Sequence, residues 1–303
     1  MMNLVDSLLM EIKNDRTTGA VELAKKGVDA ITLFITHFTG EPSFFFSELI
    51  RLSRMLINCQ PSMAPFFHLA NLLLLAAEGC QDVEAMKAVS KEAIKKFVHH
   101  LQQSSEAISR IATGLIPEGG RVLTHSHSST VLRTFLDAHQ AGKRFEVVCT
   151  ESRPNWEGLR LAEKLNESHI KVHVEVDSAA AYSMKDVQLV LVGADCLTPY
   201  GLVNKVGTYS LALSAREKGV HFYTLCGTEK LLAAKMAKSF RILRKDPREV
   251  WPDPPKGIDV FNFYYDMTPL YLLSAIFTEE GMLRTNEVLR RFQNIRVSDH
   301  FPT

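Results

Sequence analysis

The spacing of apolar positions changes once along the chain, near residue 120. Before that point apolar residues recur every three or four positions. Val21, Ala24, Val28, Ile31 and Phe34 form one such stripe and predict a helix, with Thr17 or Thr18 placed to cap its start. The same reading gives helices over 43–58 and 63–77. A long one over about 82–113 carries Met86, Val89, Ala93, Phe97, Leu101, Ile108 and Ile111, and Gly114, Pro117, Gly119 and Gly120 stop it. From Arg121 onward, short β-rich runs at 121–126, 145–151, 171–177, 189–195 and 221–227 alternate with helical stretches at 133–142, 156–168 and 205–219. Such alternation predicts a parallel sheet covered on both faces, with right-handed crossovers. The segment 245–257 holds four prolines and reads as a loop. Residues 269–280 read as a final helix ended by Gly281, with a short amphipathic tail beyond. The expected fold is α/β: an N-terminal helical domain over 1–118, then a Rossmann-like domain over 119–303 with a mainly parallel sheet.

In a parallel sheet the carboxyl ends of the strands share one edge, and ligands bind there. These ends carry Thr124-His125-Ser126-His127-Ser128-Ser129, Cys149-Thr150-Glu151-Ser152-Arg153-Pro154, Asp177-Ser178, Asp195-Cys196 and Cys226-Gly227-Thr228-Glu229. Hydroxyls and backbone N–H groups at helix starts suit a phosphate, and Arg153 and Lys205 add charge-assisted hydrogen bonds. The stretch 189–207 carries the strongest signal. An apolar run ends in Asp195, crosses a Pro-Tyr-Gly turn and enters a helix through Asn204-Lys205-Val206-Gly207-Thr208. One carboxylate and one ammonium across a loop point to a small anionic ligand and to acid–base chemistry.

Plainer readings stand beside these. Asp177 fits a helix cap better than a catalyst, because Ser178 and Ala179 start a helix. Asp195 also fits a turn. His125 and His127 lie two apart with no third ligand in view, so no metal site is expected. Cysteines are most often small buried apolar groups, although Cys149, Cys196 and Cys226 all fall at strand ends. No glycine-rich dinucleotide fingerprint and no P-loop is present, so no cofactor is expected.

Composition narrows the partners. Lys and Arg number 35 against 34 Asp and Glu, a net charge of +1. No global field attracts nucleic acid or an anionic membrane, and direct nucleic-acid binding is not expected. The most apolar window, 63–77, is too short to span a bilayer. Five cysteines without framework spacing, and an N-terminus without signal-peptide features, predict reduced thiols in the cytoplasm.

The ordered set Thr124-His125-Ser126, Thr150-Glu151-Ser152-Arg153-Pro154, Gly158, Asp177-Ser178-Ala179-Ala180, Gly193-Ala194-Asp195 and Asn204-Lys205-Val206-Gly207-Thr208 resembles one known family. Its members are the alpha, beta and delta regulatory subunits of eukaryotic translation initiation factor 2B, ribose-1,5-bisphosphate isomerase and methylthioribose-1-phosphate isomerase. Residues 261–283 look like its closing segment, and 15–20 like its N-terminal phosphate-side segment. The likeness covers nearly the whole chain. It implies a homodimer or higher homo-oligomer and a ligand that is a sugar phosphate or nucleotide monophosphate. It implies a catalytic Asp195 and puts Ser126 where the isomerases carry a cysteine. Cys196, adjoining Asp195, is the candidate for a relocated thiol. Arg16, Gly19, Ala20, Gln60, His125, Arg153, Asn204 and Lys205 are the expected substrate-binding residues, with Gln60 where the isomerases carry an arginine. A serine hydroxyl does not exchange protons readily near neutral pH. Two functions follow: an aldose–ketose isomerase of the ribose-1,5-bisphosphate type with impaired or altered catalysis, or a non-catalytic regulatory subunit or metabolite sensor resembling the initiation-factor alpha subunit.

Overall fold

The computed structural model describes residues 2–16 and 18–302. Five helices come first: α1 (Met2–Asn14), α2 (Ala20–His37), α3 (Pro42–Cys59), α4 (Ala64–Ala77) and α5 (Val83–Ala112). The apolar stripes turn inward together, and Phe34, Phe45, Phe66 and Phe67 are wholly buried. The Phe34 and Phe45 rings stack at 5.3 Å. The Asp82 side chain caps α5, accepting from the Ala85 N–H at 2.7 Å. α2 starts differently from expectation. Gly19 precedes its first residue without a side-chain cap, Thr18 bonds Asp15 instead, and Thr17 lies outside the described residues. α1 is an element the periodicity reading did not include.

The second half runs β1 (Arg121–Thr124), α6 (Ser129–Gln140), β2 (Glu146–Thr150), α7 (Glu157–Glu167), β3 (Lys171–Glu175), α8 (Ala180–Ser183), β4 (Leu189–Val192), β5 (Cys196–Thr198), β6 (Gly201–Lys205), α9 (Thr208–Lys218), β7 (His221–Leu225), β8 (Tyr265–Thr268), β9 (Ala275–Thr278), β10 (Gly281–Leu283) and α10 (Thr285–Asn294). Seven strands form one sheet in the order β10-β9-β7-β4-β1-β2-β3. All neighbours are parallel except β10 on β9. The fold is thus the expected α/β, with N-terminal helices and a mostly parallel sheet. The strand order reverses between β1 and β4, the position where such sheets open a crevice.

Two expected helices change. The stretch over 205–219 becomes helical only at Thr208, and Asn204 and Lys205 end strand β6. The final helix over 269–280 is absent. A 3-10 turn at Leu270–Leu272 leads into β9, which pairs with β7, and the helix comes later, as α10. The run Ala275-Ile276-Phe277-Thr278 is buried throughout. A short, fully buried run lacks the alternation that separates strand from helix.

β5, β6 and β8 make a small antiparallel sheet beside the main one. Its hairpin is apolar on both faces. The Cys196–Val203 pair enters the core of the helical half, and the Leu197–Leu202 pair enters the core beneath the parallel sheet. Close backbone approach also fixes α7: a Cβ on Gly158 would stand 1.7 Å from the Thr150 carbonyl oxygen. Among the described residues no helix is long and apolar enough to cross a membrane.

Candidate functional site

A cavity of about 120 Å³ opens at the switch point. Its walls come from the turn between β1 and α6, the ends of β4 and β6, the start of α7, and the segment joining α1 to α2. Ser126, His127, Ser128 and Ser129 line it at the amino end of α6. Ser128 caps that helix, and its dipole favours an anion there. Ser126 adopts a left-handed backbone, φ 69°, and its N–H donates to Ser152 Oγ at 2.8 Å. His125 is buried. Its Nδ1 lies 2.6 Å from Thr150 Oγ1 and its Nε2 2.9 Å from the Val206 carbonyl. Burial pushes its pKa below the ordinary histidine value. The adjoining Gly207, φ 108°, has room for no Cβ without crowding His125 Nε2, which would lie at 3.1 Å.

Asp195, Asn204 and Lys205 line this one cavity. The Asp195 backbone is pinned on both sides: its N–H donates to the Val203 carbonyl and its carbonyl accepts from Ala64, each at 3.0 Å. Among the described residues its carboxylate has no hydrogen bond and no ion pair. Burial pushes its pKa up to about 6; Lys230 and Lys205 oppose the rise and Glu157 adds to it. Lys205 is buried, with Nζ 2.8 Å from Glu157 Oε1 and 5.1 Å from the Tyr264 ring centre. Burial lowers its pKa against the pull of Glu157. Asn204 Nδ2 donates to Thr208 Oγ1 at 3.0 Å.

The remaining expected residues divide. Arg16, Gly19, Ala20 and Gln60 line the cavity. Arg16 pairs with Glu249 at 2.7 Å. Gln60 Nε2 donates to the carbonyls of Ile12 and Asp15, at 3.0 and 3.3 Å, so the amide ties down the chain between α1 and α2. Arg153 is not at the cavity. Its guanidinium sits 4.5 Å from the Trp156 ring centre and donates to the Glu249 and Val250 carbonyls. Cys196 is also turned away: strand alternation sends its thiol into the helical core, and burial holds its pKa well above the ordinary thiol value. That position removes it as a relocated thiol. Cys149 and Cys226 are buried too, each pushed up to about 12. Asp177 caps no α-helix; its carboxylate accepts from the Ser152 and Arg153 N–H groups, both at 2.7 Å, and closes the turn after β2.

Lys230, Lys245 and Glu157 are among the cavity residues that the sequence pattern does not single out. Lys230 follows β7 in the turn begun by Gly227-Thr228-Glu229, so the strand-end rule reached its neighbour and stopped short. Lys245 comes from the four-proline loop, which carried no chemical signal. Among the described residues, neither ammonium has a hydrogen bond or ion pair, although Lys245 lies 5.1 Å from the Tyr264 ring centre. Glu157 opens α7 and was read only as part of a helix.

Residues 3–285 match the model of the Initiation factor 2 subunit family. A Pyrococcus furiosus protein named for its likeness to subunit 2 of translation initiation factor eIF-2B is 34% identical over 280 residues, covering 92% of this chain and 96% of its own. The ribose 1,5-bisphosphate isomerase of Archaeoglobus fulgidus is 31% identical, covering 90% of this chain and 87% of its own. The crystal structure of a translation initiation factor eIF-2B from Pyrococcus horikoshii superposes with a TM-score of 0.80 at 30% identity, over 92% of this chain and 96% of the other.

Proposed function

The chain belongs to the Initiation factor 2 subunit family, and from that premise we propose that its cavity binds a sugar phosphate and isomerises it from aldose to ketose, with Asp195 carrying a proton. The observation that carries this reading is the unpartnered Asp195 carboxylate in one cavity with the unpartnered ammonium groups of Lys230 and Lys245. Lysines and the amino end of α6 suit phosphate. A carboxyl with a pKa of about 6 is populated in both forms near neutral pH, as an acid–base group must be. The name of the Archaeoglobus relative supplies the substrate to try first, ribose 1,5-bisphosphate. Ser126 stands where the family resemblance puts a thiol, so the proton partner of Asp195 is altered and turnover is expected to be slow. A cytoplasmic setting and a homo-oligomer belong to the same proposal.

A second reading has its own support. Gln60 spends its amide on two backbone carbonyls, and Ser126 carries no readily ionised group. Both features fit a metabolite-sensing regulatory subunit that binds without turnover, with either a sugar phosphate or a nucleotide monophosphate as the signal.

Thermal shift with ribose 1,5-bisphosphate, methylthioribose 1-phosphate and AMP, followed by NMR detection of a ketose, tests both. A ligand at 100 times its dissociation constant stabilises by about 2.7 kcal/mol. Lys230→Ala and Lys245→Ala are each expected to weaken the sugar phosphate by roughly 10- to 100-fold, the scale of a hydrogen bond to a charged group. A ketose signal abolished by Asp195→Asn supports the isomerase; binding without a ketose supports the sensor. No shift with any ligand overturns both.

A further inference from the structure

We propose that Glu157 is the second proton-carrying group of this cavity, the partner that Asp195 needs and Ser126 does not supply; the assignment rests on the isomerase reading above. Glu157 is the first residue of α7, held by two backbone features. Trp156 before it is left-handed, φ 59°, and Gly158 after it lets the helix press onto the Thr150 carbonyl. Its side chain therefore enters the cavity from a fixed base. Oε1 takes the Lys205 ammonium at 2.8 Å, while Oε2 is buried without a hydrogen-bond partner. A buried acceptor left unmade destabilises a protein by about 1–3 kcal/mol, and more when charged. Such an orphan in a cavity marks a place where a ligand hydroxyl belongs.

The other carboxylates around the cavity are engaged. Asp15 holds Thr18 and Lys26, and Glu22 holds Lys25. Glu157 and Asp195 remain as the pair with open oxygens among the described lining residues. They feel each other, since Glu157 contributes to the raised pKa of Asp195. Asp195, raised by burial, enters as the acid, and Glu157, with Lys205 on Oε1, offers its open Oε2 as the base. The charged and titratable groups that share the cavity wall with them include Lys205 from β6, Lys230 from the turn after β7, Lys245 from the proline-rich loop, Tyr265 from β8, Arg160 from α7 and His127 from the turn after β1.

The step balances with these two groups. In an aldose 1-phosphate, protonated Asp195 gives its proton to the ring oxygen as the C1–O ring bond breaks. The hydrogen on C2 moves to C1 with its electron pair, and Glu157 takes the proton of the 2-hydroxyl as the C2 carbonyl forms. One proton enters the sugar and one leaves, so substrate and product are isomers. The proton then returns from Glu157 to Asp195 through the solvent-accessible cavity.

The test is Glu157→Gln in the full chain, which keeps the size of the side chain and an oxygen for Lys205. Ribose 1,5-bisphosphate is the probe. Calorimetry is expected to show affinity within about fivefold of wild type, because the phosphate seats are untouched. Turnover is expected to fall by roughly 10²–10⁴-fold, and the acid limb of the pH–rate profile is expected to vanish. Carboxyl NMR of Asp195 should report a lower pKa in the variant, a readout independent of turnover. A purely structural Glu157 would change melting temperature and leave the limb in place. Unaltered turnover with both limbs retained, or an Asp195 titration that does not move, overturns the assignment alone. A wild type that neither binds nor converts the probe overturns the isomerase reading, and this assignment with it.

Discussion

Burial lifts the Asp195 carboxyl to about 6, from an unfolded value of roughly 4. Between those two pH values the folded chain binds a proton that the unfolded chain has released, so stability falls as pH rises through the window and stays lower above it. Asp195→Asn removes that loss. Urea unfolding should find the variant more stable than wild type at pH 7 by on the order of 1–2 kcal/mol, after discounting for partial exposure. At pH 4 the two should be nearly equal. A variant that is less stable at pH 7 would mean the carboxylate is satisfied in a way the cavity does not suggest. Asp195 was legible in the sequence because an acid at the carboxyl end of an apolar strand has few structural uses. Its neighbour Cys196 was not, because one step along a strand reverses the face, and sequence adjacency cannot say which residue of a pair looks outward. Arg153 sits off the cavity for a different reason: a guanidinium can stack on an aromatic ring and bond carbonyls as readily as it binds phosphate, and Trp156 lies three residues on.

At the scale of elements, helices α2 to α5 and strands β1 to β4 and β7 were legible, the helices because each repeats its period over several turns and the strands because short β-rich runs alternate with helical stretches. β9 was not, since Ala275, Ile276, Phe277 and the equally buried Thr278 show no alternation, and only pairing with β7 decides the matter. The β6 hairpin was also hidden. Its three-residue first strand is below what pattern reading resolves, and Asn204 and Lys205 consequently looked like the opening of a helix. α7 offers the sharpest test of how elements set the site. Gly158→Ala puts a methyl group against the Thr150 carbonyl and must lift the helix off β2. A loss of about 3 kcal/mol is expected, in the range of core overpacking, visible as a lower denaturation midpoint. Glu157 and its ion pair with Lys205 should shift with the helix, so ligand affinity should drop as well. Unchanged stability would show that α7 can slide without strain.

At the scale of the molecule, a division at 118/119 describes the order of the chain better than its interior. Leu232, Ala233, Met236 and Phe301 from the second half sit in the core of the first, and Phe67 lies 6.4 Å from Phe301 between ring centres. A fragment of residues 1–118 loses these partners and is expected to be insoluble or molten, which circular dichroism and fluorescence of a core-binding dye will report. The intact chain is expected to melt in one transition, with calorimetric and van 't Hoff enthalpies equal. Two separated transitions would count against it. The small sheet carries this further. Asn204 and Lys205 are the last residues of a ribbon whose Cys196–Val203 and Leu197–Leu202 pairs are wedged between both cores, so whatever grips those two side chains also damps the ribbon. Deuterium uptake should consequently slow in the middle turns of α4, which touch no part of the cavity, when a metabolite is seated. The bundle would then register occupancy at a distance, through stiffness alone and with no change of shape.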